Sequence, residues 1–385
     1  MRKKSRAYSG PIIFIIALCV LINALAWMST AFSDFYVTYI FPVLTSLYGR
    51  LTSLFPFSVG EVLLVFIVVY IVFTVLFTIS HIVYLAIIKN GKKKNVSPSG
   101  IRKVLDFISN LLYRTTPVLL TIAITLMTLN CFVLYHTSKL RIVNESETEY
   151  TVEELAKLRD FIVTKCNELS KVVPHDENGN VSYDKDMKKE AINAMKGLGE
   201  EFPRLSGYYV TPKALYFSDF MCQQYMQGYY FPFSMEANYN DTMNLMNKPF
   251  TICHELAHTH GFIYEDEANF LGFLACIKSD DIVFQYSGYL GVLNYINNDF
   301  YNAVDKNEYN RHVKIIDRVK YDNEFLSKDG WKEVEDNAIF KTETVKRAAD
   351  VFIDTNLKVN GVSDGKVSYR YVVGLIMDYY YKYGV

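Results

Sequence analysis

Paired cysteines, internal repeats and low-complexity tracts are missing from this 385-residue chain, and acidic residues are almost missing from its first third. Cys19, Cys131, Cys166, Cys222, Cys253 and Cys276 stand singly, with no CxxC unit among them, so the chain is not a disulfide scaffold. Residues 1–138 hold 12 Lys and Arg but only Asp34, Glu61 and Asp106 as acids. From Lys139 onward 28 basic side chains face 38 acidic ones, a balance of −10. That excess argues against nucleic acid as a partner, because phosphate binding needs basic surface.

The first third has apolar length instead. Three stretches, about 11–28, 62–88 and 115–138, are free of charge for long enough to cross a bilayer, which takes about 20 residues. A rival reading of the first is a cleaved signal peptide ending near Ala24-Leu25-Ala26. Ser58-Val-Gly-Glu61 has the form of a capping box at the start of the second. Basic residues cluster at Arg2, Lys3, Lys4 and Arg6 and again from Lys89 to Arg114, whereas the loop between the first two spans has only Arg50. The positive-inside rule then predicts a multi-pass protein of the cell membrane with a cytoplasmic N-terminus and everything after the third span outside. The aromatic segment from Phe35 to Phe57 is expected to rest on the outer membrane surface.

Two units follow: a membrane domain over 1–138 and an extracytoplasmic domain over 139–385. Thr151-Val-Glu-Glu154 signals the first helix of the latter, and Gly207–Asn240 reads as short strands and loops. Phe231–Asn240 is a candidate edge strand for pairing with an extended substrate.

The chemistry concentrates in Pro249-Phe-Thr-Ile-Cys-His-Glu-Leu-Ala-His258. Residues four apart on a helix lie one above the other, so His254 and His258 can converge on one metal. Glu255 is then placed as a general base toward water activated there. Tyr264–Leu274 reads as a second helix with carboxylates at its N-terminus, one of which can supply the third ligand that a catalytic Zn²⁺ wants. Glu265, on a small polar face with Asn269, Gly272 and Cys276, is preferred over Glu267, whose face carries Leu271 and Leu274. Asn269 suits a partner that orients a ligand histidine. Tyr369 is a candidate oxyanion donor, and His260 a structural or rim residue.

HELAH followed by EDEAN resembles the gluzincin branch of the zincin metallopeptidases, in which a glutamate from the next helix joins the two histidines. That resemblance implies Glu265 as ligand and Asn269 as the partner of a ligand histidine. Only six residues separate His258 from Glu265, which is short for thermolysin-like enzymes. Gly261 falls at the glycine of the metzincin pattern HExxHxxGxxH, but Tyr264 stands where its third histidine would be. The whole chain, with PFSxGE before the second span, is also similar to an uncharacterised bacterial family of membrane-anchored HExxH proteins. The expected fold is therefore a membrane-anchored α+β protein: three transmembrane helices, then a mostly helical zincin-like domain with a small sheet. The expected function is hydrolysis of a peptide or protein substrate outside the bilayer. The alternative is a catalytically silent sensor or binding protein at the cell surface.

Overall fold

The structure, a computed structural model, describes residues 2–90, 99–142, 150–364 and 371–384. It opens with α1 (Arg2–Met28), α2 (Thr30–Phe35), a π-helical turn (Tyr36–Ile40) and α3 (Phe41–Thr52), followed by α4 (Val59–Asn90) and α5 (Ser99–Asn130). α1, α4 and α5 are long and apolar enough to cross a membrane. The third begins well ahead of Thr115, because nothing after Ser99 breaks the helix, and it gives way to a 3₁₀ turn at Phe132–His136. α1 lies along α5, where Asn23 Nδ2 donates to Thr128 Oγ1 at 3.0 Å. α4 meets α5 at Tyr70, whose hydroxyl bonds Thr115 Oγ1 and Thr116 Oγ1 at 3.0 and 2.7 Å.

The segment joining α1 to α4 packs directly on the rest of the protein. One face of α3, carrying Phe41, Thr45, Gly49 and Thr52, is buried. Thr45 Oγ1 there donates to the Thr259 carbonyl at 3.3 Å. The opposite face leaves Val43, Leu47 and Leu51 exposed at helical spacing, and Leu54 in the turn that follows is exposed too.

The expected capping box at the start of α4 is only half made. Ser58 Oγ accepts from the Glu61 N–H at 3.2 Å, but the Glu61 carboxylate instead accepts the Tyr216 and Phe217 N–H groups at 2.8 and 2.9 Å. Those two donors sit in a loop with no ladder partner of their own, so they hold Glu61 more firmly than its own helix start would. In return Glu236 accepts the Val59 and Gly60 N–H groups of α4 at 3.1 and 2.8 Å. Glu236 is fully buried. It satisfies two of the orphan donors of the helix N-terminus and complements its dipole. Lys213, also buried, donates to the Phe55 carbonyl beside it. α4 is thereby latched to the sheet.

The remainder is helical around one small sheet. α6 (Val152–Leu169) starts with the full capping box of Thr151 and Glu154, and α7 (Met187–Gly197) follows. β1 (Lys213–Ala214), α8 (Ser218–Gln223), β2 (Gly228–Phe231) and β3 (Glu236–Tyr239) come next. The sheet order is β1-β3-β2, with β1 parallel and β2 antiparallel to β3. Phe231–Asn240 is therefore not an edge strand: Glu236–Tyr239 lies in the middle, buried and paired on both sides. The edges are β1 and β2, and β2 is the one beside Glu255. α9 (Lys248–Thr259), α10 (Glu265–Ile277) and α11 (Ile282–Ala303) form the heart of the main core, with fully buried Ile252, Leu256, Phe270, Leu274, Val292 and Ile296. The short helices α12 (Lys306–Arg311), α13 (Asp317–Asp322) and α14 (Lys328–Asp336) lead to α15 (Thr342–Val359) and α16 (Val372–Tyr383).

Candidate metal centre

α9 is helical for local reasons and stops for one. Pro249 sits in its first turn, where the missing N–H costs nothing. At its end the Gly261 N–H bonds the His258 carbonyl at 2.9 Å and the Phe262 N–H bonds the Ala257 carbonyl at 3.3 Å. This is a Schellman motif. It needs a left-handed residue, and Gly261 has φ +82° with Val37 of the π-helical turn packed where a Cβ would stand.

The turn has a chemical consequence. It folds the Phe262 carbonyl back over the helix, 2.7 Å from His258 Nδ1. A carbonyl only accepts, so Nδ1 carries the proton and Nε2 presents its lone pair to the site. His258 Nε2 lies 3.1 Å from His254 Nε2. α10, whose first turn holds three acids where the dipole favours them, brings Glu265 Oε2 to 3.2 Å from His254 Nε2 and 3.7 Å from His258 Nε2. These three side chains are the one His/Cys/Asp/Glu group among the described residues arranged to hold a metal ion. Ligand atoms about 2.0–2.2 Å from a tetrahedral zinc lie about 3.3–3.6 Å apart, and the observed triangle brackets that separation.

The electrostatics of the group point the same way. Burial pushes the His254 imidazole below its ordinary value. Burial alone would lower His258 too, but Glu265 outweighs it and brings this imidazole up to about 9. Burial would raise Glu265, yet the two imidazoles hold its carboxyl well below the usual carboxylate range. Burial lifts Glu255 to about 8, offset only in part by His258. Three buried groups that stabilise one another only by sharing protons suit a cation at their centre, which would reverse the local logic. Glu255 Oε2, His254 Nδ1 and Asn269 Nδ2 are buried with no hydrogen-bond partner among the described residues. Asn269 lies beside His254. Glu255 is buried next to the triangle without joining it.

The other sequence candidates separate clearly. Glu267 turns away and accepts the Leu140 N–H at 2.6 Å, anchoring the stretch that follows α5. His260 stacks on Tyr209 with ring centroids 4.0 Å apart. Tyr369 lies outside the described residues. Sequence reasoning missed Tyr295 of α11, which lies beside Asn269 and is pushed to about 12, first by burial and then by the charge of Glu265. Its spacing reads as ordinary helix core, so no signal marked it. It also missed Gly228 at the start of β2, which lies directly against Glu255.

His254, Glu255, His258, Glu265, Asn269, Tyr295 and Gly228 open into one cleft of about 900 Å³. β2 forms one side, and Asn294, Tyr295 and Asn298 of α11 another. α15 supplies a third wall through Lys346, Asp350, Ile353 and Leu357, one face of a helix. The chain belongs to the family described as "Protein of unknown function (DUF3810)", which it matches over residues 36–377, a stretch that takes in α4, α5, the sheet and the whole cleft. No curated protein and no solved structure matches it.

Proposed function

We propose that this family member is a membrane-anchored zinc metallopeptidase that hydrolyses peptide bonds on the extracytoplasmic side. The observation that carries the reading is the triangle of His254 Nε2, His258 Nε2 and Glu265 Oε2, with sides of 3.1, 3.2 and 3.7 Å, beside the unpartnered Glu255. These three residues would hold zinc, which when bound supplies Lewis acidity for activating water and polarising a carbonyl. Glu255 takes the proton from the attacking water and returns it to the leaving amine. Its raised affinity for protons, a product of burial, suits both halves of that transfer. Asn269 lies beside His254, the Phe262 carbonyl holds His258, and β2 offers an edge for an extended substrate. Tyr295, on the far wall, is placed to donate a proton or hydrogen bond toward a developing oxyanion.

The membrane placement rests on two further observations. The start of α4 touches both Glu236 and the 216–217 loop, which supports a common side for the catalytic domain and the loop between the first two spans. The exposed stripe of α3 and the exposed Tyr216, Phe217 and Phe220 beside Glu61 make an apolar and aromatic belt at the level where α4 begins.

The test uses the full chain in lipid nanodiscs, with zinc measured by elemental analysis and hydrolysis of a mixed-sequence peptide pool by mass spectrometry. Wild type should carry one zinc and cleave; Glu255→Gln should carry the same zinc and lose cleavage by about 10²-fold or more. Folded wild type without zinc after supplementation, or Glu255→Gln with undiminished cleavage, would overturn the reading.

A further inference from the structure

The cleft is bounded at one end by helices that are long and apolar enough to cross a membrane. Leu64 of α4 and Met127 of α5 line the same cavity as His254, Glu255 and His258. Cys131, just past α5, and Phe231 at the end of β2 complete that end. β2 sets the direction. Gly228 at its start lies against Glu255, and Phe231 at its end packs where Gly60 of α4 lacks a side chain. A chain laid along β2 thus leaves the catalytic residues toward the tops of α4 and α5.

Among the described residues no hydrogen bond closes the gap between the two helices at that end. They are joined at Tyr70, six residues and about 9 Å along the helix below Leu64. Around the outer end of α4, Val62, Leu64, Val65 and Phe66 remain 41–54% exposed, so protein does not cover the gap from outside. The front of the cleft is walled instead. Gln223 Nε2 binds the Phe340 carbonyl at 2.8 Å and Thr342 Oγ1 at 3.1 Å, pinning the start of α15. Leu357 at its other end is buried in the cluster that holds Ala26 of α1.

We infer that the substrate is a bilayer-anchored polypeptide, threaded from the lipid side through the gap between α4 and α5 and cut in the stretch next to its anchor. This rests on the peptidase reading but is tested by contact, not by turnover. An apolar anchor would rest against Leu64 and Met127, where aqueous peptides have no reason to dwell.

The experiment uses the full chain carrying Glu255→Gln, reconstituted in nanodiscs, with photoreactive benzoylphenylalanine in place of Leu64 or, separately, of Val62. Val62 lies on the other side of α4, is 54% exposed and does not line the cleft. The probes are a palmitoylated peptide and the same peptide without its acyl chain. Expected is an adduct of the palmitoylated peptide at position 64 roughly tenfold stronger than at 62, with little from the free peptide. Equal adducts at both positions would mean random collision within the bilayer, and either that or no adduct at 64 overturns the inference. Cleavage by wild type in the same nanodiscs is read separately. Adduct without cleavage removes the peptidase and keeps the access route; cleavage without adduct does the reverse.

Discussion

Gly228→Ala should cripple catalysis while leaving the metal in place. A Cβ at this position would stand 2.6 Å from the Asn238 carbonyl oxygen, 2.8 Å from Glu255 Oε1 and 2.9 Å from Glu255 Cγ. Ordinary contact begins near 3.4 Å, so relief requires about 0.5–0.6 Å from Glu255 and, by a shift of β2 itself, about 0.8 Å from the Asn238 carbonyl. β3 is paired on both sides and cannot yield cheaply. The carboxylate therefore moves. A misplacement of about 1 Å costs roughly 10²-fold, so kcat/KM should fall by about tenfold or more. Overpacking adds about 1–3 kcal/mol of destabilisation. The nearest atoms belong to Asn238 and Glu255, not to a ligand, so zinc content should remain at the wild-type value. Zinc analysis and peptide hydrolysis on one preparation of the full chain decide the matter. Hydrolysis within twofold of wild type would refute the placement of Glu255, and joint loss of zinc and activity would show that the strain reaches the ligands.

Glu265→Ala should abolish stoichiometric zinc, whereas Glu267→Ala should keep it. The latter instead lowers the thermal unfolding midpoint, because the Leu140 N–H loses its acceptor at a cost of about 1–3 kcal/mol. Glu236→Ala strips the acceptor from two N–H groups of α4 and the charge partner from buried Lys213, so unfolding in nanodiscs should occur at least ~2 kcal/mol more easily; an unchanged midpoint would show that the latch contributes nothing. Burial would raise the Asp281 carboxyl, but Lys185 and the N–H groups of Phe284 and Val283 outweigh it and lower it. Its stabilising effect is then complete above the unfolded value of about 3.9 and lost as pH falls through the lower folded one. Asp281→Asn should flatten the stability profile in that acid window, which an acid titration of tryptophan fluorescence would read.

What could be read from the sequence depended on whether the relevant contact is local. His254 and His258 are one helical turn apart, so their convergence is written in their spacing. Glu265 and Glu267 separate because the small face around Gly272 is the one that can lie close to α9, a matter of which side of α10 each residue occupies. Apolar length marks the three long helices but not their full extent, because charged Arg102–Asp106 continues the third helix ahead of its apolar stretch. Contacts between residues far apart in the chain left no trace. Glu236 looks like any strand residue until α4 is placed above it, and Glu61 looks like a local cap until the 216–217 loop competes for it. The edge strand was assigned one strand too late because pairing partners, not composition, decide which strand is central. The zincin-like character of the domain remains an expectation drawn from the motif.

The reciprocal latch also sets a timetable for biogenesis. The acceptor that satisfies the Gly60 N–H lies 176 residues later in the chain. At synthesis rates of about 5–20 residues per second, roughly 9–35 s separate the emergence of the two partners. During that interval the top of α4 is held by water alone, and the sheet that will position Glu255 does not yet exist. A nascent chain therefore emerges with His254, Glu255, His258 and Glu265 unassembled, and the cluster is completed only after the region around Glu236 has docked on α4.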